Sequence, residues 1–194
     1  MTTALIALDF INDIVHPDSP MAGAATQVAE RRVIEHANTA LAHARANDWF
    51  VVLVKVGFGP GYAECPSRSP LFGKAKENGV LQLGTWGTEF HEALDATPAN
   101  AEREFVVEKP RVNAFYATPL EAVLRANAID TLYLCGVSTS WAVQSAARDG
   151  HDRDYRIRVI EDACATDDIE DHHASIRQLS RICEIVTSDE LPSN

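Results

Sequence analysis

The chain opens with an apolar run, "ALIALDF" (4–10), interrupted only near its end by a carboxylate, and repeats the pattern in "WFVVLVKV" (49–56). Neither run alternates with polar residues, so both read as strands covered on two faces. Between them Val28, Val33, Ala37, Leu41 and Ala44 fall on one helical stripe, with Arg31, Arg32, Glu35 and Arg45 turned outward, which predicts a helix over 28–44. Strand, helix and strand make a β-α-β unit.

Four further strands are expected at "EFVVEK" (104–109), "TLYLCG" (131–136), "RIRVIEDA" (156–163) and "EIVT" (184–187). Helices fill the gaps. "TPLE" offers Thr118 as N-cap, Pro119 at the first helical position and Glu121 to close a capping box. "DDIE" offers Asp167 and Glu170 in the same relation, with Ile169, His173, Ile176 and Leu179 as the inner face. The adjacent His172 and His173 would point apart on that helix, one inward and one to solvent, and so make a poor metal pair. This alternation predicts a single α/β domain over 1–194, three-layer α/β/α with a mainly parallel six-stranded sheet, Rossmann-like in its winding.

One stretch escapes the alternation. Residues 57–103 join two strands through a segment dense in Gly, Pro and Ser, expected to carry a short helix near 88–95 and otherwise to lie across the sheet edge. Loops of that length in a compact domain are usually lids or substrate loops.

Composition narrows the function. Hydrophobic residues make up 46% and charged residues 23% of 194, as in ordinary globular domains. A formal charge of −11 with no Lys/Arg stripe argues against nucleic acid and anionic membrane as partners and leaves a small molecule. The start "MTTALIALDFIND" has no basic segment and meets Asp9 before a signal sequence could be completed, and no apolar run could span a bilayer. Cys65, Cys135, Cys164 and Cys183 follow no metal or redox spacing and read as small buried hydrophobes of a cytoplasmic protein. No cofactor or metal is expected, and a homo-oligomer, dimer or tetramer, is.

Parallel sheets bind ligands beyond the carboxyl ends of their strands. Asp9, Lys109 and the turn that begins at Val137, Ser138 and Thr139 all stand at such ends, which brings an acid, a cation and a helix N-terminus to one edge.

Those residues resemble the isochorismatase-like hydrolases, a family that includes nicotinamidases, N-carbamoylsarcosine amidases and isochorismatase. The resemblance rests on "LDFIND", "VVEKPRVNAFYATPLEAVL", "GVSTSWAVQSAARDG" and "DYRIRVIEDACA", in order and over nearly the whole chain. It implies the α/β fold, a hydrolase, catalytic Asp9 and Lys109, and a cis peptide at Val137-Ser138. It implies turn amides at Ser138, Trp141 and Ala142 that receive developing negative charge. Asp13, Trp86 and Phe115 are implied as substrate contacts, and Trp141 either fills space beside Ala142 or packs on the helix behind it.

Most of the family places a nucleophilic Cys six residues after the turn glycine. Counted from Gly136 that position is Ala142, so a cysteine acyl-enzyme is excluded. Nicotinamidases also carry a histidine metal site after the second strand, whereas "VKVGFGPGYAECP" has no histidine. Isochorismatases likewise lack the Cys but hold a substrate carboxylate with an Arg near the position of Asn78, absent here. The expected chemistry is therefore acid/base hydrolysis by Asp9 and Lys109 of a vinyl ether or C–N bond. The alternatives are a non-catalytic binding module and a Cys-to-Ala variant of a cysteine amidohydrolase.

Overall fold

A computed structural model describes residues 2–98 and 100–192. The strands are β1 (Thr3–Leu8), β2 (Phe50–Val56), β3 (Glu104–Lys109), β4 (Thr131–Val137), β5 (Arg156–Ala165) and β6 (Glu184–Val186). The helices are α1 (Asn12–Val15), α2 (Ala25–Glu30), α3 (Val33–Ala46), α4 (Ala75–Asn78), α5 (Leu120–Ala126), α6 (Gln144–Asp152) and α7 (Ile169–Leu179). All strand pairs are parallel, in the order β3-β2-β1-β4-β5-β6.

The central strand explains its sequence. Ala4 through Leu8 are at most 1% exposed, as a run without polar alternation requires. The chain winds outward from β1 to β3, then returns to the other side of β1 as β4. Right-handed crossovers therefore put α3 on one face and the helices after β3 on the other. The reversal leaves a crevice at the carboxyl ends of β1 and β4, the usual place for a ligand in such sheets.

Several local expectations give way. The helix expected over 28–44 is two: α2 ends at Glu30, Arg32 takes a left-handed φ of 53°, and α3 restarts at Val33. Arg31 leaves the helical surface to bind Glu161 at 2.7 Å, a contact across 130 residues that no local pattern carries. The capping box at α5 does not form, because the Glu121 carboxylate accepts from Arg125 Nε at 2.8 Å instead. Asp168, not Asp167, caps α7 by accepting from the Glu170 amide at 2.7 Å. On α7 His172 is buried and His173 exposed, so it is His172 that turns inward.

No helix forms at 88–95. The long loop instead carries α4 and a 3-10 turn at Trp86–Thr88, and folds over a small core of its own built on Phe58, Tyr62, Phe72, Val80 and Leu81. Among the described residues no helix is long and apolar enough to cross a membrane.

Candidate active site

The site begins with a close approach of two strands. Gly136 sits opposite Leu8, and a Cβ there would lie 2.2 Å from the Leu8 carbonyl oxygen; its φ of 141° is open only to glycine. That contact draws the start of the turn after β4 against the end of β1, where Asp9 follows.

Asp9 takes a positive φ of 58° and leaves the ladder while its amide still donates to Val54 O at 2.8 Å. Its Oδ1 accepts from the Val56 amide at 2.7 Å, and its Oδ2 lies 2.6 Å from Lys109 Nζ. Lys109 reaches Asp9 across the end of β2, since Val56 is its register partner. Both side chains are buried, Asp9 at 3% and Lys109 at 1% exposure. Burial pushes the Asp9 carboxyl above its ordinary value, and the attraction of Lys109 only partly offsets this. An ammonium has three N–H bonds. Those of Lys109 go to Asp9, to Val112 O at 2.9 Å and to Arg111 O at 3.2 Å.

After β4 the Val137-Ser138 peptide is cis, and a π-helical turn over Thr139–Val143 leads into α6. Ala142 therefore lies in this wide turn and not in the first turn of a regular α-helix. The amides of Trp141 and Val143 donate to the Ser138 carbonyl at 3.3 and 3.2 Å, so that carbonyl makes no claim on the amide of Ala142. Behind the turn Thr139 Oγ1 meets His172 Nδ1 at 2.9 Å, His172 Nε2 meets Glu161 at 2.7 Å, and Arg31 closes the chain on Glu161. The hydrogen bond from His172 first, and the Arg31 guanidinium after it, hold the Glu161 carboxyl down at about 2. Thr139 is fully buried, so this chain supports the turn from behind.

Asp9, Lys109, Val137, Ser138, Trp141 and Ala142 all line one cavity of about 130 Å³. At roughly 10–15 Å³ per water by this measure, it admits a ligand portion of about ten heavy atoms. Leu71 and Phe72, from the long loop, supply an apolar wall.

The expected substrate contacts are elsewhere. Asp13 is buried beneath the loop, where its Oδ2 accepts from the Leu81 amide at 2.6 Å and its Oδ1 from Ser19 Oγ at 3.2 Å. Trp86 lies outside the cavity, edge-on to His16 at 5.0 Å. Phe115 stacks on Tyr155 at 6.2 Å and approaches Gly150 on α6, away from the cavity lining. Conversely, Asp167 lines the cavity, a position that had been assigned to capping. The off-by-one between two adjacent aspartates concealed it.

None of the four cysteines lines this cavity. Burial raises Cys135 well above the usual thiol range and pushes Cys164 up to about 12.

Comparison with known proteins places this geometry in context. The isochorismatase domain model matches residues 3–190. The isochorismatase family protein YecD of Escherichia coli O157:H7 is 34% identical over 98% of this chain and 94% of its own length. Ureidoacrylate amidohydrolase RutB of Methylorubrum extorquens is 34% identical over 84% of this chain and 69% of its own. Among solved structures, an isochorismatase family protein from Desulfovibrio vulgaris superposes with a TM-score of 0.85 at 26% identity, covering 97% of this chain and 95% of that one. N-carbamoylsarcosine amidase from Thermoplasma acidophilum superposes at 0.76 with 27% identity, covering both chains fully (100% each).

Proposed function

Given that the chain belongs to the isochorismatase family, we propose that it is a hydrolase that opens a small molecule with water directly, without a covalent cysteine intermediate. Asp9 is the acid/base group and Lys109 holds its charge. The amide of Ala142, at the position of the family's cysteine, faces developing negative charge. The bond is an activated C–N bond or a vinyl ether. At a C–N bond, water's hydroxide joins the carbonyl carbon, the C–N bond breaks and water's proton passes through Asp9 to the leaving nitrogen; at a vinyl ether, Asp9 gives its proton to the enol carbon, water's hydroxide joins the resulting cation as its proton returns to Asp9, and the hemiketal breaks its C–O bond as the hydroxyl proton passes to the leaving oxygen. The proposal extends to a cytoplasmic homo-oligomer that needs no metal.

The observation that carries this reading is the buried Asp9–Lys109 pair, 2.6 Å apart on the wall of a cavity that also holds Ala142. A raised Asp9 suits an acid, because the carboxyl must hold a proton to give one. The relatives named ureidoacrylate amidohydrolase and N-carbamoylsarcosine amidase favour the C–N bond. The test is incubation with a metabolite pool, read by mass spectrometry for compounds that gain one water. Turnover by the unaltered protein and its loss in Asp9→Asn are expected. Binding without any water gain, unchanged in Asp9→Asn, would point instead to a non-catalytic binding module.

A further inference from the structure

The segment that carries Asp9 also holds the long loop. Just after Asp9, the Phe10 carbonyl accepts from the His91 amide at 2.9 Å, the Asn12 amide donates to Glu89 O at 3.0 Å, and Asn12 Nδ2 donates to Trp86 O at 2.9 Å. Asp13 takes the Leu81 amide from beneath. Leu81 shares the loop's small core with Phe72, and Phe72 walls the cavity. Whatever fastens this seam therefore fixes that wall.

Two histidines close the outer end of the seam. His16 follows α1 as its C-cap and His91 lies on the loop, both half-buried, with ring centroids 5.3 Å apart. His16 Nδ1 lies 3.2 Å from the Asp18 amide and His91 Nδ1 lies 3.1 Å from the Ala93 amide. A backbone N–H only donates, so each Nδ1 accepts with its lone pair and each ring carries its one proton on Nε2. Both imidazoles are neutral in this arrangement. A second proton would have to enter at Nδ1, where it would abolish the amide's hydrogen bond and set two like charges side by side. Neighbouring carboxylates offset this little. Asp18 Oδ2 is 3.8 Å from His16 Nδ1 but its side chain is 83% exposed, Glu92 beside His91 is exposed, and Asp13 is turned to Leu81. Burial first and the His16 ring second hold the His91 imidazole below its ordinary 6.5, with Glu92 opposing them.

Resting on the hydrolase reading for what the loop covers, we propose that His16 and His91 form a proton-sensitive lock on the substrate loop: neutral, they hold it against the Asp9 segment, and protonated, they release it. Because the His91 imidazole is lowered, its contribution to the closed loop is fully present above 6.5 and is lost as pH falls through the lowered value. One pH unit below 6.5 a released imidazole is protonated in about ten of eleven molecules. One histidine then favours opening by at most about elevenfold, and two by at most about 120-fold. The site is closed at neutral pH and loses its apolar wall in acid.

Hydrogen–deuterium exchange at pH 7.5 and 5.5 tests the lock without a substrate. It is read by mass spectrometry as protection, with the intrinsic pH dependence of exchange divided out. In the unaltered protein, peptides covering 69–75 and 80–94 should lose about tenfold or more of their protection at pH 5.5, while peptides from β4 and α5 keep theirs. His16→Asn/His91→Asn puts a side-chain carbonyl where each Nδ1 accepts and removes the titration, so its loop should stay protected at both pH values. The single variants His16→Asn and His91→Asn should each remove part of the dependence, and they decide the matter if circular dichroism shows the double variant unfolded. Equal protection of the loop at both pH values, a loss shared equally by β4, or a pH dependence that survives the asparagines would overturn the proposal. A proton-sensitive loop on a protein that adds water to no compound would leave the lock standing and fail the hydrolase reading.

Discussion

Replacing Lys109 by Met tests how the buried pair holds together. The substitution keeps most of the side-chain volume and removes the cation 2.6 Å from Asp9 Oδ2, leaving that carboxylate only the Val56 amide. Removing one partner of a buried ion pair costs about 3–5 kcal/mol. Proton uptake sets a ceiling on that cost. The folded variant can neutralise Asp9 at a price of about 1.36 kcal/mol for each pH unit above its ordinary 3.8. The Asp9 share therefore cannot exceed about 4.4 kcal/mol at pH 7 or about 1.6 kcal/mol at pH 5. The carbonyls of Arg111 and Val112, left without a donor, add about 1–2 kcal/mol at either pH. The sign follows from a folded-state carboxyl raised above its unfolded value. Its stability is fully present below 3.8 and drains as pH rises through the folded value, and Lys109→Met moves that value higher still. Urea unfolding at pH 5 and pH 7 should show the variant's deficit growing at the higher pH, by no more than about 2.7 kcal/mol, because the parent's raised Asp9 already carries part of that cost. The Asp9→Asn/Lys109→Met double variant should lose this pH dependence. A single variant whose deficit is equal at both pH values would refute the reasoning.

Other outcomes follow from neighbouring parts of the site. Ala142→Cys should create a thiol that iodoacetamide alkylates at neutral pH faster than any native cysteine, since burial raises all four and holds Cys164 near 12 and Cys183 near 11. Lys109→Ala should slow that alkylation, and mass spectrometry of the modified peptides reads both rates. Gly136→Ala must place its Cβ 2.2 Å from the Leu8 carbonyl at a φ of 141°, so a loss of about 3 kcal/mol and a thermal midpoint lower by roughly 6–12 °C are expected by calorimetry. Glu161→Gln should be less stable than the parent above pH 4.5, because a carboxyl held down at about 2 stabilises the fold there. The difference should shrink as pH falls from 4.5 to about 2 in acid unfolding curves.

The strands were legible because each is a run of apolar, often β-branched residues with no competing helical period. β3 begins and ends where "EFVVEK" does, and the others shift by a residue or two. The break between α2 and α3 was not, because Arg31 and Arg32 suit a solvated helix face and no Gly or Pro marks the interruption. Its cause, Glu161, lies far along the chain. At the site, Asp9, Lys109 and the turn from Val137 to Ala142 share a cavity because strand ends converge by topology, which alternation alone foretells. Asp13, Trp86 and Phe115 stand outside that cavity for the opposite reason. Their surroundings depend on how the loop folds over its own core and on which helix each side chain meets.

The central claim is that water, and not a protein nucleophile, attacks the substrate while Asp9 only moves a proton. A single turnover in H₂¹⁸O, with the protein in excess over the compound that the metabolite pool identifies, tests it in one mass spectrum. The account predicts that the label enters the product and that the peptide containing Asp9 keeps its mass. Label in the Asp9 carboxylate, with an unlabelled product, would mean a covalent ester or anhydride at Asp9 and would contradict it.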